Sequence, residues 1–288
     1  TTNSGGINQG VTVNSGVTLT NNAALGSDSG TITNSGTINT SASNIKGAVT
    51  NNNTVNLSGG TLSKAISGSG TTNITGIVSS NSAISQAISI ASAGDLTISA
   101  SNVGGNVTNA GDLILNGGTL TKAVTGAGTT SITGAVTANS AISQTISISS
   151  SGDLTANAGN IGGAVTNAGD LILTGGTLSK SVSGAGLTTI TGNTTNSAGI
   201  NQGVKVNSGI TLTNNAALGS ASGSVTNAGT INSSADNIKG TVSNTGSLNL
   251  SGGTLSKAVS GSGKTTITGN TTNSGGINQG VTVNSGVT

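Results

Sequence analysis

The first eighteen residues, Thr1 to Thr18, recur letter for letter as Thr271 to Thr288, an offset of 270. Inside that interval the tetrapeptide Gly-Gly-Thr-Leu begins at Gly59, Gly117, Gly175 and Gly252, with spacings of 58, 58 and 77. The chain therefore divides into modules 1–77, 78–135, 136–193 and 194–270, with the start of the next at 271–288. Both module lengths are near-multiples of about 19, so the short module reads as three copies of one unit and the long as four. A chain self-similar at so short a period repeats one small structural unit, and such a unit buries its apolar face only against its neighbours.

The aliphatic residues carry the same period. Leading aliphatics fall at Ile7, Leu25, Ile45, Leu62, Ile84, Val103, Leu120 and on to Ile277, fifteen starts spaced 17 to 22 apart. A second aliphatic commonly follows four residues later, as at Val11, Ile66 and Val107, and a third about twelve residues after the start. Between the second and third stand Asn-Ser-Gly, Asn-Ala-Gly, Gly-Ser-Gly or Gly-Ala-Gly. Gly and Asn tolerate positive φ, so these clusters read as corners. Short Val-, Ile- and Thr-rich runs between corners read as strands, whereas no apolar stripe of helical period extends beyond two turns. The fold expected is all-β: one continuous parallel β-solenoid over 1–288, about 19 residues per rung and about 15 rungs. At the usual strand spacing of about 4.8 Å it would be a rod on the order of 70 Å long.

Composition fits this expectation and removes many chemistries. The chain has 49 Gly among 288 residues, charged residues are 5%, and there is no Phe, Tyr, Trp, Cys, Met, Pro, His, Arg or Glu. A narrow coil admits only small side chains repeated in register, and a lone ring would clash or leave voids. Pro would remove a ladder hydrogen bond from a strand paired on both sides. Without Cys there is no disulfide framework or thiolate nucleophile, and without His the commonest general base and transition-metal ligand are missing. Without Arg or aromatics there is no bidentate phosphate fork and no base-stacking platform, and the net charge is only +2, so nucleic acid is not an expected partner. The longest aliphatic runs, Leu113-Ile114-Leu115 and Leu171-Ile172-Leu173, are far short of a membrane span. With no initiator Met and no signal peptide in view, the chain reads as an internal segment.

Rungs such as Val107-Thr108-Asn109-Ala110-Gly111-Asp112-Leu113 and Val225-Thr226-Asn227-Ala228-Gly229-Thr230-Ile231 resemble those of filamentous-haemagglutinin-type exoproteins and autotransporter passengers. The resemblance covers the whole chain. It implies a right-handed β-helix, an extracellular or cell-surface location, and the role of a bacterial adhesin or fibre.

Four features are candidate sites. Gly261-Ser262-Gly263-Lys264-Thr265-Thr266 mimics the end of a phosphate-binding loop, but the full motif needs Gly where Ala258 stands, and no helix is expected after it. Asp95 with Asp112, and Asp153 with Asp170, each follow Gly and precede Leu on adjacent rungs. Paired carboxylates suit glycoside cleavage, yet one of them needs a raised pKa from an apolar pocket, and there is no ring to stack a sugar. Their recurrence in both short modules favours turn architecture, with a shared cation left open. Two residues after nine of the fifteen leading aliphatics stand Gln9, Lys64, Gln86, Lys122, Gln144, Lys180, Gln202, Lys257 and Gln279, with Ser or Gly at the other six. A flat strand would turn them inward at high cost, so the expectation is a bend that turns Lys and Gln out together as a surface stripe. Finally, Thr18-Leu19-Thr20, Thr31-Ile32-Thr33 and Thr189-Ile190-Thr191 look too scattered to form the single Thr column of an ice-binding face.

The sequence reading is thus a structural and interaction protein rather than an enzyme, with no catalytic residue, cofactor or metal site assigned. The expected partners are further copies of the same repeat, stacked end to end or continuing in the same chain, and host or cell-surface glycans. The alternatives are a polysaccharide-binding or polysaccharide-cleaving β-helix and an ice-binding solenoid.

Overall fold

A computed structural model describes residues 1–288. The chain is an all-β parallel β-solenoid of about 17 turns, whose only helices are four single 3₁₀ turns. Cα packing divides it into two units, 1–145 and 146–288.

In the first unit each turn has three short faces, and each face is a stack of parallel pairs. One face stacks Ile7, Leu25 and Ile45 and continues through Gly60–Leu62, Ile77–Ser80, Asp95–Ile98, Asp112–Leu115 and Thr129–Ile132. A second runs through Val11–Val13, Ile32–Asn34, Val49–Asn51 and Ile66–Ser67 to Ile84 and Val103. The third runs from Thr2–Asn3 through Thr18–Asn21, Thr37–Thr40, Thr54–Leu57, Thr71–Ile74, Ala87–Ile90 and Val107–Asn109 to Val124–Thr125. The second unit is built the same way. Its faces follow Ile146, Val165, Val182 and Ile200; Leu154, Leu171, Thr188 and Val204; and Leu178, Asn196, Asn214 and Ser233.

Burial alternates along the strands as the pleat demands. In Thr54–Leu57, Val55 and Leu57 are fully buried while Thr54 and Asn56 face outward. The inward Ile, Val and Leu stack on their counterparts one turn away, giving each unit a continuous aliphatic core.

Paired residues are 16 to 21 apart, most often 17 or 18, so a turn is slightly shorter than the 19-residue sequence unit. This has a geometric consequence. Three turns beyond Leu62 on its own face, by way of Ser80 and Ile98, lies Leu115. The sequence copy of Leu62 is Leu120, which lies on the next face, opposite Ala138. The 77-residue spacing behaves alike in the second unit. Val182 shares a face with Ile200 and Leu218, but its copy Val259 stacks over Val242, Val225 and Val204 on the adjacent face. A module is therefore a whole number of turns plus one face.

The corners sit where the Gly- and Asn-bearing clusters predict, for two different physical reasons. At Asn-Ala-Gly the corner is made by a side chain. Asn109, fully buried, accepts the Gly111 N–H at 3.0 Å and donates to the Thr129 carbonyl of the next turn at 2.9 Å. No non-Gly residue has positive φ, and Gly111 is required by close approach: a Cβ there would stand 2.1 Å from the Gly94 carbonyl oxygen. At Gly-Ala-Gly the first Gly, Gly126, does take φ 114°, where only Gly is unstrained.

Candidate functional site

The acidic pairs lie in register. Asp95 is the direct strand partner of Asp112, and Asp153 of Asp170, on neighbouring strands about 4.8 Å apart. Asp95 is half-buried and the other three are exposed, on the outer side of their strands. Like charges placed opposite each other weaken a ladder, an effect that solvent and salt reduce at such exposed positions. The chain assembles no group of three or more acidic, His or Cys side chains. Each pair is also bordered by an exposed aliphatic, Ile77 below Asp95 and Leu187 above Asp170.

The Lys and Gln residues separate, which corrects the expectation of one outward stripe. Lys64 turns outward and pairs with Asp28, two turns below, holding that exposed carboxyl below its ordinary value of 3.8, first by the hydrogen bond and then by charge attraction. Gln86, Gln144 and Gln202 turn inward and are buried at 4%, 4% and 1% exposure. Their amides donate to the hydroxyls of Thr72, Thr130 and Thr188 at 2.7, 2.6 and 2.8 Å. The cost of burying an uncharged amide is offset by a hydrogen bond, while an ammonium would need a partner or water. The expectation therefore holds for Lys64 and for the exposed Gln9 and Lys180, whereas Gln86, Gln144 and Gln202 are part of the core.

Gly261 to Thr266, the segment that mimics a phosphate-binding loop, is part of the strand Val259–Ile267. Lys264 is exposed there, and Thr265 is fully buried and accepts the Gln279 amide. The extended backbone forms no anion cradle and leads into no helix.

The three Thr-x-Thr runs share no single column, since Thr20 pairs with Asn39, Thr33 with Thr50, and Thr189 with Ile172 and Lys205. Thr18, Thr37, Thr54 and Thr71 are successive strand partners and form one outward column, which ends at Ala87. Beside it Asn39, Asn56 and Asn73 form an amide ladder, Asn56 donating to Asn39 at 2.7 Å and Asn73 to Asn56 at 2.8 Å. At its edge is an open polar groove of about 650 Å³, lined by residues including Asn22, Asn39, Ser41, Asn44, Asn56 and Ser58. A groove of about 440 Å³ recurs in the second unit, lined by Asn215, Asn232, Ser234, Asn249, Ser251 and Thr268. Its Asn249 donates to Asn232 at 2.8 Å. These grooves and the Gln–Thr bonds were missed in the sequence. The bonds do leave a signal, since each Gln follows the Thr of a Thr-x-Ile segment by 14 residues.

No helix is long and apolar enough to cross a membrane. No family model, curated protein or solved structure matches the chain.

Proposed function

We propose that the chain is a structural and interaction element, an extracellular β-solenoid segment of a bacterial fibre or adhesin stalk of the filamentous-haemagglutinin or autotransporter-passenger type. The observation that carries this reading is that surface features recur with the repeat. The polar groove of residues 20–75 returns at 213–268, and the acidic pair of one short module returns in the other. Repetition of this kind suits a surface that contacts partners many times weakly, where linked sites gain avidity. The partners this reading implies are further repeats or copies of the same solenoid, and extended polar ligands such as cell-surface glycans.

Electron microscopy of the native assembly with mass determination tests it. Filaments or cell-surface projections with mass per length of a single stacked solenoid are expected, and dispersed globular particles would count against the reading. The recurring Asn-lined groove favours polysaccharide binding as a second reading. Glycan-array signal lost in Asn56→Ala and Asn249→Ala would support it, and silence across extended polysaccharides would remove it.

A further inference from the structure

One Gln–Thr contact recurs once at every module junction, buried at the first three and half-buried at the last. Thr72 and Gln86 flank the boundary between residues 77 and 78, and Thr130 and Gln144 the boundary between 135 and 136. Thr188 and Gln202 flank 193 and 194, and Thr265 and Gln279, at 2.6 Å, flank 270 and 271. The separation is 14 residues each time, and all four Thr residues are fully buried. The bond is the same whether the module before it is long (Thr72, Thr265) or short (Thr130, Thr188). It is also the same whether the module after it opens Ala-Ile-Ser-Gln, as at Gln86, or Gly-Ile-Asn-Gln, as at Gln202. A stack of near-identical aliphatic turns does little to forbid mispairing, since one Ile over another is much like the next. A buried amide that finds its hydroxyl in one register and is orphaned in the others discriminates between registers, as buried polar groups do in other repetitive cores.

We infer that the modules are interchangeable cassettes. The closing turn of each, marked by its buried Thr, is a docking surface for the Gln-bearing opening turn of any other module. Whole modules can then be removed or inserted without creating a new kind of interface. Because each module is a whole number of turns plus one face, every such change moves the neighbouring turns of the same unit by one face of three. This holds whether or not the chain serves in a fibre or adhesin, and its failure would leave that reading in place.

The chain has no Cys, so an engineered pair reports without background. Thr61 is the strand partner of Ser79, and Thr137 of Thr119. Removing residues 78–135 puts Thr137 in the place of Ser79, directly opposite Thr61. Neighbouring parallel strands about 4.8 Å apart lie within the Cα range of a disulfide. The deletion carrying Thr61→Cys and Thr137→Cys is expected to close this disulfide nearly completely under mild oxidation, and the full-length double variant not at all. A deletion protein that is unfolded, or folded without the cross-link, would overturn the inference. Gln144→Leu in the deletion tests the bond itself: disulfide yield falls several-fold if the amide selects the register. Unchanged yield would show that aliphatic stacking alone does so.

Discussion

Asn227 gives the sharpest test of how the corners are held. Its side chain is fully buried and makes three hydrogen bonds: Nδ2 to Asn244 Oδ1 at 2.7 Å, Nδ2 to the Ser247 carbonyl at 2.9 Å, and Oδ1 from the Gly229 N–H at 3.1 Å. Asn227→Ala removes all three and strips the buried Gly229 N–H of its acceptor. An orphaned buried polar group costs about 1–3 kcal/mol, and with some readmitted water the total comes to about 2–5 kcal/mol. In a unit of this size that is a fall in melting temperature of roughly 5–15 °C. Asn249→Ala is the control. It deletes one 2.8 Å bond of an outer ladder that water can replace, and it should cost about 0.5 kcal/mol. Thermal melts followed by circular dichroism distinguish the two. If Asn227→Ala melts with or above Asn249→Ala, the buried carboxamide does not hold the corner.

Three further outcomes follow from the same geometry. Gly111→Ala puts a Cβ 2.1 Å from the Gly94 carbonyl oxygen, and overpacking against backbone should cost about 1–3 kcal/mol or more, read from urea midpoints. Gln144→Leu alone should destabilise by about 1–2 kcal/mol, because it leaves the buried Thr130 hydroxyl without its donor. Adding Thr130→Val should recover most of that, since Gln144 Oε1 is already without a partner and both polar ends are then gone; a double variant no better than the single would contradict this. The Asp28 carboxyl has a lowered pKa, so its pairing with Lys64 contributes above its ordinary value of 3.8 and is lost as pH falls through the lowered value. Wild type and Asp28→Ala should therefore differ slightly at neutral pH and low salt, and converge in acid. A difference that persists in acid would exclude the ion pair as its source.

Most of the architecture was legible because one physical rule, aliphatics at a fixed phase, acts on every turn. The strands, the corners at Asn-Ala-Gly and Gly-Ala-Gly, the parallel stacking and the facing Asp95 and Asp112 all follow from it. What the spacing concealed is the mismatch between module and turn. Leu62 and Leu120 are equivalent in sequence and lie on different faces, because the three turns that follow Leu62 take only 18, 18 and 17 residues and end at Leu115, short of the 58-residue module. The inward Gln residues are not legible from the shared Lys and Gln spacing, because the cost that turns Lys outward is one of charge. An ammonium must stay near water or a counter-ion, but an amide needs only one hydroxyl at the right height. Asn marks a corner in the sequence through its tolerance of positive φ, yet no Asn adopts one; its buried carboxamide satisfies its own backbone and the turn above instead.

The claim at the centre of this account is that sequence copies do not stack over one another. Pulsed electron paramagnetic resonance on two doubly labelled proteins tests it directly. Labels at Thr61→Cys and Ile114→Cys sit on one face three turns apart, a backbone separation of about 14 Å. Labels at Thr61→Cys and Thr119→Cys occupy equivalent sequence positions on different faces. The shorter distance is expected for Thr61 with Ile114. A shorter distance between Thr61 and Thr119 would mean that the modules stack in phase with their sequence, and the face-by-face advance would be wrong.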